Sequence, residues 1–369
     1  MLGKISRLIL FLANIVCALL LGASLFAGRI SPEDFGLPAS LILFFSYLLG
    51  LNLLFCVFWC FLRRRYAFLS FFVLLLAIPS VIRVYPIFNK NNQEVDGKKI
   101  TVLSYNTMAN FAYKKHREDD ENDGISYILN TDADIVCLQE FNVSKDQKFL
   151  TYEDIQKIYA KYPYKHISYK VETKRFKQVG TATFSKYPIL LRRRIDIPSR
   201  YNSAIYTDVD VEGTILRIVN VHLESNKITG MDKALGAKLK KGIDREYLAD
   251  ITNSFSRKLD EAAKIRAKQV DIVSKLIGQS PHKVVVCGDF NDVPLSYAYE
   301  KMRGKLTDTF VEAGRGLGLT YCRWLYRLRI DYILCDKDIV ASEFKIDQVN
   351  YSDHYPLRCS LAMASKKEK

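Results

Sequence analysis

The cysteine spacings that hold structural zinc are missing from this 369-residue chain, so its eight cysteines do not mark a metal-stapled fold. Five of them, Cys137, Cys287, Cys322, Cys335 and Cys359, follow the apolar N-terminal region, and their odd number excludes a complete disulfide framework. Cys137, Cys287 and Cys335 fall inside apolar runs that read as buried strands, where a free thiol acts as a small hydrophobe. At most one pair, involving Cys322 or Cys359, is expected. Histidine is scarce at five residues, which leaves few imidazoles for acid–base chemistry. Acidic residues are outnumbered 40 to 54 by lysine and arginine, and the net charge of +14 favours anionic partners.

Charge is absent from residues 8–28, 39–62 and 66–82, three apolar runs of which the last is near the minimum spanning length. Three transmembrane helices are expected. A cleaved secretory signal would account for the first run alone. Lys4 and Arg7 precede the first run and Arg63, Arg64 and Arg65 separate the second from the third, whereas residues 29–38 carry one base and two acids. That bias puts the N-terminus and the arginine cluster on the cytoplasmic side. An odd number of spans then makes the chain a multi-pass integral membrane protein whose remainder is extracytoplasmic. The expected division is a membrane anchor over 1–88, a polar linker over 89–99 and a catalytic domain over 100–365.

What is present after the linker is a series of apolar runs that end in polar groups. Residues 283–292, KVVVCGDFND, read as a buried strand that stops at Gly288 and is followed by Asp289 and Asn291. In an extended segment those two side chains point the same way and can address one small ligand; a polar turn is the alternative. ITVLSYN ends at Asn106 and DIVCLQE ends at Glu140. Magnesium often takes only one or two protein carboxylates, so a single glutamate is sufficient there. Residues 204–211 and 214–223 read as a hairpin around Glu212 and Gly213, and strand alternation places Asn220, His222 and Glu224 on one face. RIDYILCD begins a strand with Asp331 near its start, and Ser352, Asp353 and His354 precede the last strand. His116, in a dense mixed-charge loop, is read as solvent-exposed and without a functional role, and His166 as structural.

Residues 225–242 are lysine-rich and read as a loop near the strand ends, while 245–277 carry an amphipathic helical pattern. The plain reading is a helix covering a sheet. Contact of its basic face with anionic headgroups or a polyanionic substrate is the alternative.

The ordered set SYN at 104–106, LQE at 138–140, NVHLES at 220–225, GDFND at 288–292, RIDYIL at 329–334 and SDH at 352–354 resembles the endonuclease/exonuclease/phosphatase superfamily. The resemblance covers residues 100–362. It implies an α/β fold, a four-layer sandwich of two packed β-sheets flanked by helices, here preceded by three transmembrane helices. It also implies metal-dependent cleavage of a phosphate ester, with Mg²⁺ as cofactor and Mn²⁺ as a substitute. Glu140 would hold the metal, with Asn106 and Asp353 beside it. Asp289 would orient or deprotonate the attacking water, and Asn291 would donate to a phosphate oxygen. His354, oriented by Asp331, would contact the scissile phosphate, and His222 would act as an acid or a further phosphate contact; Asn106 also serves phosphate. Related enzymes differ in whether aspartate or histidine is the base.

The resemblance and the basic charge together favour a phosphodiesterase acting on nucleic acid. Three spans keep a lipid phosphodiester, of phospholipid or sphingomyelin type, as the alternative substrate, and membrane lipids as partners in either case. A membrane-anchored binding protein without catalysis is the third reading. No protein partner can be inferred.

Overall fold

The computed structural model describes residues 3–87, 98–111, 116, 120–145, 149–171, 176–226, 245–323 and 326–363. The expected linker falls mostly outside the described residues, as do 227–242 of the lysine-rich loop. Two compact units are present, one comprising Met1–Val84, Asn226–Ala267 and Val293–Lys301, the other Tyr85–Ser225, Lys268–Asp292 and Met302–Lys369.

In the first unit, the described residues contain three helices long and apolar enough to cross a membrane, Lys4–Arg29, Leu37–Leu62 and Arg64–Val84. Such helices cannot associate by the hydrophobic effect within lipid, so packing and polar contacts must hold them. One buried polar contact set joins all three. Asn14 Nδ2 donates to Ser70 Oγ at 2.6 Å, Ser70 Oγ to Asn52 Oδ1 at 3.4 Å, and Asn52 Nδ2 to the carbonyls of Leu48 and Cys17 at 2.9 and 3.0 Å. Nearer the chain's start, Phe11 stacks on Tyr66 with centroids 4.2 Å apart, and Trp59 packs edge-on to both. That cluster brings the end carrying Lys4 and Arg7 together with the arginines at 63–65. The amphipathic pattern at 245–277 forms one helix, Arg245–Gly278.

The second unit is built from strands, with described bounds β1 (Lys99–Asn106), β2 (Ile135–Ser144), β3 (Tyr164–Val171), β4 (Phe176–Ser185), β5 (Ile189–Ile195), β6 (Ala204–Val211), β7 (Thr214–His222), β8 (Lys283–Asp289), β9 (Thr307–Asp308), β10 (Tyr321–Arg323), β11 (Tyr326–Leu328), β12 (Asp331–Cys335), β13 (Ile339–Ile346) and β14 (Leu357–Met363). One six-stranded sheet has the order β13-β14-β1-β2-β4-β3, a second the order β5-β6-β7-β8-β12-β9, and β10-β11 form a separate hairpin. Each large sheet has one parallel pair at its centre, β1 with β2 and β7 with β8. The expected fold of two mixed sheets flanked by helices is therefore present.

Side-chain alternation explains the layers. Val102, Ile135 and Cys137 point between the sheets and meet Ile218, Val285, Cys287 and Ile333 of the other sheet. Their neighbours Leu103, Val136 and Leu138 point outward, onto Ile125 and Ile128 of the helix Asp123–Asn130, Ile155 of the helix Tyr152–Ile158 and Tyr159 just after it. Burial of each such aliphatic side chain contributes about 1.5–3 kcal/mol. Both helices start where side chains satisfy their first amides: Asn122 accepts from the Ile125 amide, and Thr151 with Asp154 forms a capping box.

The hairpin at Glu212 and Gly213 is present, with both residues at positive φ as a tight β-turn demands. All eight cysteines, Cys322 and Cys359 included, are free thiols, and Cys359 is buried in the inter-sheet core. The edge strands β5 and β13 and the hairpin β10-β11 have no counterpart in the sequence reading. Edge strands carry polar residues such as Arg192, Arg193 and Arg194, which hide the apolar alternation that announces a strand.

Candidate active site

The strand register assembles the site. In the parallel pair β7 and β8, His222 lies opposite Asp289, and in β1 and β2, Asn106 lies opposite Gln139. Strand β12 runs antiparallel to β8, so its first residue, Asp331, also lies opposite Asp289. Strand β14 begins opposite Ser104 of β1, which brings the segment before it, with Asp353 and His354, to the same end. The carboxyl ends of parallel strands are where open α/β sheets bind ligands.

Asp289 is the hub. Its carboxylate accepts from Asn106 Nδ2 at 3.0 Å, from the Asn291 amide at 2.8 Å and from Asn291 Nδ2 at 3.3 Å. His222 Nε2 and His354 Nε2 each lie 3.7 Å from Asp289 Oδ2. His354 Nδ1 pairs with Asp331 Oδ2 at 2.9 Å, the contact expected to orient the ring. Asp331 is itself held by its amide, which donates to Thr320 Oγ1 at 3.1 Å. Glu140 is half-buried, 3.4 Å from Asn106 Nδ2 and 4.0 Å from His222 Nε2.

Two sequence expectations need correction in detail. Extended geometry stops at Asp289, because Asn291 has φ 53°, in the left-handed region. Its amide turns back onto Asp289 and onto the Leu223 carbonyl at 2.9 Å, an arrangement that strand alternation does not produce. Glu224, likewise, lies beyond the end of β7, so it does not share a strand face with His222; it accepts a hydrogen bond from Ser199 Oγ at 2.6 Å.

Glu140 is placed by an irregularity. Between Leu138 and Phe141 the β2–β4 register slips so that two residues of β2 face one of β4, and Glu140 takes φ 51°. A bulge of this kind re-aims a side chain out of the regular ladder. At Gly288 the backbone has φ 140° and an added Cβ would lie 1.9 Å from the Val221 carbonyl oxygen, so only glycine allows β7 and β8 to close at the site. Sequence reasoning missed Ser352 as more than a turn residue. Its hydroxyl donates to the Asn106 carbonyl at 2.8 Å and accepts from the His354 amide at 3.2 Å. Ser352→Ala removes both bonds, each worth about 1 kcal/mol, and is expected to lower turnover by roughly tenfold without loss of fold, as steady-state rates with a melting curve would show.

The charges follow from burial and crowding. Burial, reinforced by Asp331, pushes Asp289 up to about 6, against the pull of His354 and His222. Burial opposes a proton on His354, yet Asp331, Asp289 and Asp353 together push it up to about 10. Burial lowers His222, opposed by Asp289, and burial raises Glu140, opposed by His354. Among the described residues, Asp289, Asp331 and His354 offer ligand atoms within 4.8 Å of one another. The Asp331–His354 hydrogen bond engages one atom of each. Glu140, more exposed and with oxygen donors only, suits a hard divalent cation better, and an anionic set of four carboxylates with two histidines fits such an ion.

The profile of the Endonuclease/Exonuclease/phosphatase family matches residues 103–354. The chain belongs to this family. A second profile, Domain of unknown function (DUF8431), matches residues 6–84. Among solved structures, an endonuclease/exonuclease/phosphatase from Beutenbergia cavernae is similar, with 16% identity, a TM-score of 0.51, and 73% of this chain and 72% of that one covered. Humanized D. rerio TDP2 gives 16% identity over 72% and 99% of the two chains with TM-score 0.48, and sphingomyelinase C from Streptomyces griseocarneus 17% over 71% and 99% with TM-score 0.45. No curated protein matches the sequence. Every motif on which the resemblance rests, from Ser104 to His354, falls within the matched span.

Proposed function

We propose that this family member is a membrane-anchored, divalent-metal-dependent phosphodiesterase. The observation that carries the reading is the convergence of Asn106, His222, Asn291 and His354 on the Asp289 carboxylate. A carboxylate held at about 6 is ionised at neutral pH and still basic enough to take a proton from water. His354, paired with Asp331 and held at about 10, keeps its proton and presents it to an anionic phosphate oxygen. His222, kept neutral by burial, can hydrogen-bond phosphate or carry a proton to the leaving oxygen. Asn106 and Asn291 hold the Asp289 carboxylate in place, and the Asn106 amide spans from Asp289 to Glu140. Magnesium, or manganese in its stead, held at Glu140 with Asn106 and Asp353 alongside, would withdraw charge from the phosphoryl group and leaving oxygen.

Nucleic acid is the substrate class we favour, because a chain of net charge +14 attracts a polyanion. A lipid phosphodiester is the second reading, favoured by the three helices long enough to span a membrane. An extracytoplasmic catalytic part is our reading, supported by the gathering of Lys4, Arg7 and the arginines at 63–65 at one end of the helices. The domain division proposed is 1–88, 89–99 and 100–365. Hydrolysis by the full chain in detergent micelles, on DNA, RNA and sphingomyelin with Mg²⁺ and then with chelator, separates the readings. Chelator-sensitive turnover of DNA or RNA is expected; turnover of sphingomyelin alone would transfer the assignment to lipid, and no turnover of any would contradict it.

A further inference from the structure

We infer that Gln139 and Asn220 form a polar strut between the two sheets that positions Glu140 and His222, an inference that rests on the phosphodiesterase reading and extends it. Both side chains are fully buried. Gln139 belongs to β2 of one sheet and Asn220 to β7 of the other, and Gln139 Nε2 donates to Asn220 Oδ1 at 2.8 Å across the gap.

The contacts around this bond reach the elements that carry the site. Gln139 Nε2 also lies 3.4 Å from Ser104 Oγ, two residues before Asn106 on β1. Asn220 Nδ2 donates to the Ala182 and Leu138 carbonyls at 3.0 and 3.3 Å, on β4 and β2. Gln139 immediately precedes Glu140, and Asn220 stands two residues before His222. Neither side chain is placed to touch substrate, so both are positioning residues.

The bulge makes this bond consequential. Gln139 and Glu140 are the two residues that lose their regular pairing with β4, so the ladder on that side does not fix where Glu140 points. The inter-sheet bond supplies the missing restraint. A stability role alone would be served better by an apolar pair, because Gln139 Oε1 is buried without a partner and a buried orphan acceptor is unfavourable. The polar pair defines one relative placement of two strands that apolar packing would leave free to slide.

The test uses the full chain in detergent with Gln139→Leu, Asn220→Leu, the double variant, and the exchanged pair Gln139→Asn with Asn220→Gln. Mn²⁺ binding is measured by calorimetry, kcat and KM on a simple aryl phosphodiester, and amide hydrogen exchange over residues 137–142 and 219–224. Each leucine variant is expected to weaken Mn²⁺ binding and lower kcat by about tenfold, with KM changed by less than about twofold. The double variant should be no worse than either single one, because both remove the same bond. Folded single variants with unaltered metal affinity and kcat, or a double variant whose loss is the product of the two, would overturn the strut. Should the leucine variants fail to fold, the exchanged pair decides: it is expected to regain metal affinity, and a folded exchanged pair with weak binding overturns the inference. If the wild-type chain neither binds Mn²⁺ nor turns over, the phosphodiesterase reading falls. Faster exchange in both segments of the variants would still support the strut, and unchanged exchange would reject it.

Discussion

Asp289→Ala lowers turnover by at least roughly a hundredfold, the scale expected when a positioned general base is lost. The residue is buried, its carboxylate accepts three hydrogen bonds from Asn106 and Asn291, and it sits 3.7 Å from each of two imidazoles. Among the described residues, no neighbouring carboxylate is free to replace it. Glu140 stands on the other side of Asn106, and Asp331 is engaged with His354. The variant should remain folded, since burial and the charge of Asp331 already make the ionised carboxylate unfavourable there. Steady-state rates and a melting curve on the same preparation check this, and a rate within a few-fold of the parent would remove Asp289 from the mechanism.

His354→Ala has a comparable effect on rate, and it also changes the pH profile. In the parent, kcat/KM is expected to rise as pH passes about 6, where Asp289 loses its proton, and to fall as pH passes about 10, where His354 loses its own. Asp289→Ala removes the acid limb and His354→Ala the alkaline limb. Stability follows the same groups, and both make it fall as pH rises, over different intervals. His354 rises from 6.5 to about 10 on folding, so its contribution is fully present below 6.5 and is lost as pH climbs through 10. Asp289 rises from 3.8 to about 6, so the fold is penalised increasingly as pH climbs through that interval. Unfolding midpoints across pH for the parent and His354→Ala should therefore diverge most below 6.5 and converge above 10. A constant gap would show that the imidazolium is not held by Asp331 and Asp289.

The parts that were legible in the sequence share a physical cause. Uncharged runs long enough to span lipid can be read without knowledge of any partner. The strand ends at Asn106, His222 and Asp289 were legible because a polar residue abruptly terminates a buried apolar run, whereas Glu140, expected to end its strand, lies inside β2 at the bulge, and the strand continues to Ser144. Their gathering at one end follows from two parallel pairs and one antiparallel strand, a topology that the family resemblance supplied and local pattern did not. Hidden from the sequence were features created by long-range pairing. The left-handed turn at Glu140 is not marked by a glycine, and the contact of Gln139 with Asn220 joins strands 81 residues apart. The return of the Asn291 amide onto Asp289 depends on a backbone angle that residue spacing alone does not encode.

The most direct test is hydrolysis of a simple aryl phosphodiester by the purified full chain in detergent, measured with Mg²⁺, after chelation, and after Mg²⁺ is restored, beside Asp289→Ala. Turnover that disappears with chelator, returns with the metal and is absent from the variant is the predicted result. Turnover indifferent to chelator, or equal in the variant, would contradict the account.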